Sequence, residues 1–294
     1  MQTDPSLQSY LMILGEEIVV SSVNCRGLQD IKKRTDVLDF LKNNIHSNIF
    51  CLQDTHWTDK DEKQIRNIWN NPLIIHGLRT NARGVSILLK NNFEFKIINS
   101  FKDTTGNLIL IDLLIGNEFS IRLINIYAPN IDTPQFFEYV ETLLVNHSND
   151  YTVLCGYFNL VLDQNMDSMN YNKINNPRSK DFVLKMINNN NLIDAFRKCN
   201  PDQKRYTWRR RNPIRQARLD YFLVTDTLCD IISKAKIIPG YRTDHSIIQL
   251  NLVLNHFKRG RGTWKFNCSL LKSQEYVQLI NEAITDEKIL PSGV

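Results

Sequence analysis

Short runs of aliphatic and β-branched residues, each bounded by Asn, Gly or Asp, recur along most of this chain. Runs of this length with such flanks are typical of strands rather than helices. Strands are predicted at 18–23, 49–52, 84–90, 93–98, 108–115, 120–127, 152–156, 219–224 and 247–254. Several are apolar at nearly every position, as happens when helices cover both faces of a sheet or when two sheets pack together.

Between these runs the apolar residues recur with the spacing of an amphipathic helix, which predicts helices at 32–46, 58–69, 134–146, 179–190 and 225–236. Thr133 before Pro134 is a typical helix start. Turn residues at Asn91-Asn92 and Gly116-Asn117 predict hairpins, which argue against a purely parallel sheet. The pattern therefore predicts an α/β fold in which two sheets pack as a sandwich with outer helices.

The composition, 42% hydrophobic and 23% charged, is that of a globular protein with a substantial core. It changes after Leu254, where a basic, glycine-broken stretch precedes an amphipathic helix at about 273–284. We therefore predict an N-terminal extension at 1–17, one large domain at 18–254, and a basic linker with the start of a helical segment at 255–294. The last helix indicates that a longer protein continues beyond this segment.

The six cysteines are scattered without a C-x-x-C pair, which indicates neither a zinc site nor a disulfide framework. No apolar run approaches the roughly 18 residues that cross a bilayer, so we expect a soluble protein in a reducing compartment, with no membrane partner. The net charge is only +5, but the basic residues cluster, and a local patch sets the field that a polyanion meets.

Polar residues follow several predicted strands directly, at the exits where loops gather functional groups over a rigid sheet. They are Asn24, the pair Gln53-Asp54 and Asn159. Tyr127 ends the predicted strand 120–127, and the pair Asp244-His245 stands in the polar stretch Tyr-Arg-Thr-Asp-His-Ser. Asp220 instead lies inside an apolar strand, where a carboxylate persists only if it is paired, hydrogen-bonded or near a metal.

These residue types suit hydrolysis of a phosphodiester. That reaction needs a cation to neutralise growing charge, a group that orients water, and donors to the phosphate oxygens. Mg²⁺ takes oxygen ligands and keeps several waters, so Asp54, Asp220 and Asn24 are candidate metal ligands. Alternatives stay open for several of these residues. Asp54 caps a helix or is solvated, and Tyr127 is an aromatic residue of the core. Asn24 and Asn159 are turn residues, and Asp244-His245 is a surface pair.

The strongest charge feature is the stretch from Lys204 to Arg218, which mixes seven basic residues with Tyr206 and Trp208. Such a mixture suits phosphate contacts combined with stacking or wedging against bases. Its candidate nucleic-acid contacts are Arg205, Trp208, Arg209, Arg210 and Arg211. A solvated loop without a ligand is the alternative. Lys258, Arg259 and Arg261 form a second basic patch.

In this order the motifs resemble the endonuclease/exonuclease/phosphatase superfamily and, within it, the apurinic-type endonuclease domain of LINE retrotransposons. The resemblance runs from Ile18 to Leu254, and 262–267 resembles the segment that follows this nuclease in LINE polyproteins. It implies a DNase I-like sandwich, Mg²⁺ with Mn²⁺ as a substitute, double-stranded DNA as partner, and a reverse transcriptase downstream. It also implies an intracellular protein, nuclear when it acts on DNA.

The resemblance implies a role for each motif. Asn24 matches the family's Asn near the metal and water, and Asp54 takes the position of its metal-binding Glu. Tyr127 matches the site tyrosine, and Asn159 matches the Asn of Gly-Asp-Phe-Asn. Thr207 matches a residue of the DNA-contacting loop, Asp220 matches the supporting Asp, and Asp244 with His245 matches the terminal Asp-His pair.

Tyr157 departs from the family pattern, because it stands where the family has the Asp that activates the attacking water. A neutral, bulky phenol accepts a proton poorly at pH 7. The sequence therefore predicts a Mg²⁺-dependent DNA endonuclease of retrotransposon origin, impaired in this copy. The alternatives are a catalytically dead DNA-binding remnant and, ranked lower, a small-molecule phosphoesterase.

Overall fold

The computed structural model describes residues 17–116, 119–145, 150–171 and 175–254, together with Gln278. The chain divides into two compact units, Met1–His256 and Phe257–Val294, and all described residues except Gln278 belong to the first. The predicted basic linker and C-terminal helix, and residues 1–16 of the predicted extension, lie outside the described residues. The domain limits therefore stay a prediction.

Six strands form a first sheet: β1 (Glu17–Asn24), β2 (Ile49–Gln53), β3 (Leu73–His76), β4 (Val85–Leu89), β14 (Ile232–Ile238) and β15 (Ile247–Val253). Their order across the sheet is β14-β15-β1-β2-β4-β3. Only β1 and β2 pair in parallel, with Asn24 opposite Gln53, and the other pairs are antiparallel.

Six more strands form a second sheet: β5 (Phe95–Lys102), β6 (Leu108–Ile115), β7 (Phe119–Tyr127), β8 (Thr152–Tyr157), β10 (Leu192–Asp194) and β13 (Asp220–Thr225). Their order is β10-β13-β8-β7-β6-β5. Here too a single pair, β7 and β8, is parallel. Tyr157 lies between Tyr127 on one neighbouring strand and Asp220 on the other.

The two sheets pack face to face over an aliphatic core that includes Val20, Ile87, Leu123 and Phe222. Helices α1 (Ile31–Asn44) and α2 (Glu62–Trp69) cover the outer face of the first sheet. Helices α3 (Pro134–Val145) and α5 (Pro177–Asn189) cover the outer face of the second. The central strands of each sheet are thus buried on both faces, which explains their nearly continuous apolar runs and confirms the predicted two-sheet α/β sandwich.

A small third sheet stands beside the sandwich. It contains β9 (Ser168–Met169), β11 (Trp208–Arg210) and β12 (Arg215–Ala217), and the short helices α4 (Gln164–Asp167) and α6 (Ala195–Cys199) lie nearby in sequence. Strands β11 and β12 form a hairpin, residues 208–217, which we call the basic hairpin. Arg218, directly after it, is buried and pairs with Asp167 and Asp194. The hairpin is therefore anchored at its base.

Two sequence predictions are wrong. The segment 225–236 is not a helix: a short 3-10 turn at Asp226–Leu228 leads into β14, whose exposed Lys234 and Lys236 flank a buried Ala235. That alternation suits an edge strand, and pairing with β15 prevails over the helical spacing. Asn91-Asn92 joins strands of different sheets, so it is a crossover rather than a hairpin.

The predicted pairing around Gly116-Asn117 is confirmed, since β6 and β7 are antiparallel from end to end. Asn117 itself lies outside the described residues. Within the described ranges, no helix is both long enough and apolar enough to cross a membrane.

Candidate active site

The carboxyl ends of the two parallel strand pairs meet at one edge of the sandwich. Strands β1 and β2 bring Asn24 and Asp54 to this edge, and strands β7 and β8 bring Tyr127 and Tyr157. Tyr127 hydrogen-bonds with the Asp54 carboxylate, so the two sheets contact each other here through polar side chains. The sandwich topology thus assembles groups that are far apart in sequence.

Asp54 lies in a tightly fixed turn. Its φ of 52° and the φ of 59° at His56 are left-handed, and His56 Nε2 lies 3.1 Å from Asp54 Oδ1. Gly27 makes room for this arrangement, because a Cβ added there would lie 2.8 Å from His56 Nδ1. Burial, and after it the Asp54 charge, raises the pKa of Tyr127, which keeps that phenol protonated.

Tyr157 occupies the middle of the site. Its ring stacks on Tyr127 with centroids 5.4 Å apart and meets the His245 ring edge-on at 5.3 Å. Its hydroxyl donates to Asn159 Oδ1 at 2.6 Å. Burial, together with the negative charge of Asp220, raises the pKa of Tyr157 well above the ordinary phenol value. The side chain is therefore neutral at physiological pH.

His245 and Asp220 form a buried pair, with Nδ1 of His245 2.9 Å from Oδ2 of Asp220. Since a carboxylate only accepts, Nδ1 carries the proton. Burial disfavours the charged imidazole, but the attraction of Asp220 outweighs it, and the pKa of His245 is raised. Asp220 Oδ1 is buried and has no hydrogen-bond partner among the described residues.

Asp244 connects this pair to the basic hairpin. Its Oδ2 accepts a hydrogen bond from Trp208 Nε1 at 3.1 Å and lies 3.4 Å from the Arg26 guanidinium. The backbone N–H of Arg209 donates to the Asp244 carbonyl at 3.2 Å, and Trp208 pairs with His245 as an isolated β-bridge. The hairpin is thus bonded to the segment that carries His245.

The donor chemistry of the site suits Mg²⁺. Asp54, Asp220 and Asn24 offer only oxygens, and the unpartnered Oδ1 of Asp220 is a buried oxygen that a cation or water can satisfy. Among the described residues, no group of three or more His, Cys, Asp or Glu surrounds a single point. Mg²⁺ needs only one or two carboxylates because it retains water, so the metal roles stay predictions.

A cleft of about 1160 Å³ runs from His245 along the basic hairpin. Trp208, Arg209, Arg210 and Arg211 line it, and their contacts with nucleic acid stay a prediction. Arg205 is exposed at the foot of the hairpin. Thr207 is fully buried, and its hydroxyl accepts the backbone N–H groups of Leu219 and Asp220, so in this structure it supports the site from inside.

Sequence reasoning missed several residues of the site. Asn125 is one of them: its Oδ1 accepts a hydrogen bond from Gln53 Nε2 at 2.7 Å beneath the site, which joins the two sheets. A signal for Asn125 existed, since it is a polar residue inside the apolar run that ends at Tyr127. Arg26, Lys33 and Arg242 also line the cleft, but they lie far apart in sequence, and only the fold places them together.

Comparison with known proteins agrees with this geometry. A family model described as the Endonuclease/Exonuclease/phosphatase family matches residues 21–245. The fold is similar to AP endonuclease LMAP from Leishmania major (TM-score 0.68, 15% identity, 85% of this chain and 89% of that one). It is also similar to an AP endonuclease from Archaeoglobus fulgidus (TM-score 0.64, 18% identity, 80% and 99%). A third similar structure is the 3′ phosphatase NExo (D146N) from Neisseria, bound to product DNA hairpin (TM-score 0.62, 16% identity, 80% and 99%).

Proposed function

This chain belongs to the endonuclease/exonuclease/phosphatase family, and from that premise we propose that it is a Mg²⁺-dependent DNA endonuclease of retrotransposon origin whose cutting step is impaired by Tyr157. The family and the fold are those of nuclease-type phosphodiesterases. The finer assignment, to DNA cutting and to this origin, is our proposal.

The position of Tyr157 is the observation that carries the impairment. The side chain lies between Tyr127 and His245, and its hydroxyl is bonded to Asn159. A neutral phenol whose pKa is raised by burial takes a proton from water poorly. Loss of a general base lowers rates by roughly 10²–10⁴, so slow cutting rather than full activity is expected.

The remaining groups still suit phosphodiester chemistry. Asp220 holds the His245 imidazole in one tautomer, which leaves Nε2 free to meet a phosphate oxygen. Asp54 and Asn24 would hold the cation. When bound, it would neutralise the negative charge that grows on the scissile phosphate. The charge-stabilising groups are therefore present even though the water-activating carboxylate is replaced.

DNA as substrate is supported by charge and by comparison. The basic hairpin presents three consecutive arginines, Arg209 to Arg211, to the cleft beside His245. One structural relative is bound to a DNA hairpin. The retrotransposon origin and the downstream reverse transcriptase rest on the sequence motifs alone, including 262–267, which lie outside the described residues. An intracellular protein, nuclear when it acts on DNA, follows from the same proposal.

A DNA-binding remnant without activity is the second candidate, and the same Tyr157 geometry favours it. A small-molecule phosphoesterase ranks lower. Small-molecule pockets measure about 300–1,000 Å³ and are mostly apolar. The cleft here is lined by five arginines and a lysine of the described segments, and such a basic surface suits a polyanion better than a small ligand.

A magnesium titration separates these candidates. Supercoiled plasmid is incubated with the native protein at increasing Mg²⁺, with EDTA as the control, and DNA binding is followed in parallel by fluorescence anisotropy. An impaired endonuclease gives slow, Mg²⁺-dependent open circles whose 3′ ends a polymerase extends. A remnant binds DNA without nicking it at any Mg²⁺ concentration. Absence of binding as well as nicking contradicts both.

A further inference from the structure

The cleft beside His245 has two walls, and the basic hairpin supplies only one of them. The other wall comes from the loop after β1, the first turn of α1, and the loop between β14 and β15. Within the described part of the chain, six arginines and lysines from both walls line the cleft: Arg26, Lys33, Arg209, Arg210, Arg211 and Arg242. The far wall therefore doubles the basic surface that the sequence assigns to nucleic acid.

The far wall is held in place by the fold. The backbone N–H of Arg26 donates to Asn24 Oδ1 at 3.0 Å, and the Lys33 ammonium donates to the carbonyls of Cys25 and Arg26. Arg242 pairs with Asp36 on α1. The Lys33 and Arg242 bonds fix where these two positive charges stand, and the Arg26 bond fixes its backbone, so little ordering of this wall is needed when an anion arrives.

The charge is directed toward the reacting groups. Asp244 and His245 form one end of the cleft, and among the residues that the structure describes Asp244 is the only acidic one that lines it. Its Oδ2 is already engaged by Trp208 and Arg26. A concave surface lined by one sign of charge focuses the field and concentrates a polyanion there.

The lining also fits the chemistry of a nucleic-acid strand. Arg26 keeps 68% of its side chain exposed, so its guanidinium can reach a phosphate. Ile214, at 57% exposure, adds an apolar surface near the hairpin tip, and Trp208 adds an aromatic one. A groove that combines basic side chains with apolar and aromatic surfaces is typical of proteins that bind a sugar-phosphate backbone and its bases.

We propose that this cleft holds the phosphodiester backbone of the DNA on one side of the cutting site, and that Arg26 and Arg242 contact it opposite the basic hairpin. The proposal rests on the proposed function, because it presumes that the chain binds DNA. It adds a second contact surface, contributed by segments about 200 residues apart in sequence.

The double variant Arg26→Ala/Arg242→Ala tests this surface. Anisotropy of a labelled DNA duplex, and of one of its single strands, is measured in EDTA at several salt concentrations. Each phosphate contact contributes about 0.9 to the slope of log affinity against log salt for duplex DNA and about 0.7 for a single strand. We expect the duplex slope to fall by about 1–2 and the affinity to fall several-fold at physiological salt. If the single strand shows the same loss of slope and affinity, Arg26 and Arg242 contact one DNA strand. If only the duplex shows the loss, they contact both strands.

Three further variants make the result decisive. The control Lys96→Ala/Lys185→Ala removes the same amount of charge from two exposed positions. Lys96 lies on the edge strand β5 of the second sheet. This variant is expected to bind DNA as the native protein does. Arg26→Lys/Arg242→Lys keeps the charge and is expected to keep the slope, which separates charge loss from misfolding. Arg210→Ala/Arg211→Ala tests the hairpin.

If this hairpin variant binds DNA weakly while Arg26→Ala/Arg242→Ala keeps the native slope, the far-wall proposal is overturned but the protein still binds DNA. If the native protein shows no salt-dependent binding, the proposed function fails with it.

Discussion

The hydroxyl of Tyr157 donates a 2.6 Å hydrogen bond to Oδ1 of Asn159, so the two side chains satisfy each other at the end of β8. Asn159 Nδ2 in turn donates to the carbonyl of Pro129. With both of its polar atoms engaged, Asn159 has less capacity to bind a phosphate or a water. The Tyr157 side chain therefore affects two positions of the site.

Replacing Tyr157 by Asp should restore cutting. The carboxylate is smaller than the phenol, releases Asn159, and can accept the proton of an attacking water. We expect Mg²⁺-dependent plasmid nicking to rise by about 10²–10⁴. The rate of open-circle formation under single-turnover conditions measures it. Tyr157→Asn is the matched control, since it opens the same space without a base. Equal rates for the Asp and Asn variants would show that the position does not activate water.

Trp208 should act on the reaction through Asp244, because its indole N–H holds the Asp244 carboxylate at 3.1 Å. In the Tyr157→Asp background, Trp208→Phe keeps an aromatic ring and loses the donor. We expect kcat to fall about tenfold while DNA affinity stays unchanged, corresponding to a coupling on the order of 1 kcal/mol.

The test of this coupling is a double-mutant cycle with Asp244→Asn. If Trp208 works through Asp244, Trp208→Phe should have little further effect once Asp244 is changed. Independent, additive losses in the double variant would instead assign Trp208 a separate role, such as packing against Tyr171.

Most of the sandwich could be predicted from the sequence because the central strands are buried on both faces and carry long apolar runs. The strand Leu108–Ile115 has the limits that the pattern predicts. Some short or edge strands could not be predicted, and β14 is an example. Its Lys234 and Lys236 alternate with apolar residues over only a few positions, and so short a window also satisfies a helical spacing.

The site was partly predictable, because strand exits mark where polar groups gather. Asn24, Asp54, Tyr127, Tyr157 and Asn159 all lie at such exits. Charge alone misled at Arg218, which reads as part of a basic surface but is buried between Asp167 and Asp194. Nothing in a linear pattern distinguishes a solvated arginine from one whose partners lie on other elements. The far wall of the cleft could not be predicted for the same reason, because its residues lie on separate elements.

Removing the Asp54 carboxylate should weaken cation binding independently of activity. We expect Asp54→Ala to bind Mn²⁺ at least about tenfold more weakly, since one or two carboxylates carry most of the affinity of such a site. Asp54→Glu should bind as well as the native protein or better. Electron paramagnetic resonance of free Mn²⁺ gives both affinities. Asp181→Ala, an exposed position on α5, is the control. Unchanged Mn²⁺ affinity in Asp54→Ala would remove Asp54 from the metal site.

Asp103 should make the stability of the fold depend on pH. Its Oδ1 accepts the N–H groups of Gly106, Asn107 and Leu108 at 3.0–3.1 Å and lies 2.9 Å from His76 Nε2. Burial alone would raise the pKa of Asp103, but these hydrogen bonds, with that from Thr105, lower it below its ordinary value. The carboxylate is thus more acidic in the folded protein than in the unfolded chain.

The sign of the effect follows from linkage. A depressed pKa contributes stability that is fully present above the unfolded value of 3.8 and is lost as pH falls through the folded value. Asp103→Asn should therefore lower the free energy of unfolding by about 2 kcal/mol at pH 7, and the difference from the native protein should shrink below pH 3.8. Urea unfolding at pH 7, 4.5 and 3 measures it, with the exposed Asp181→Asn as control. A difference that is constant across this range would mean that Asp103 contributes through packing and not through its charge.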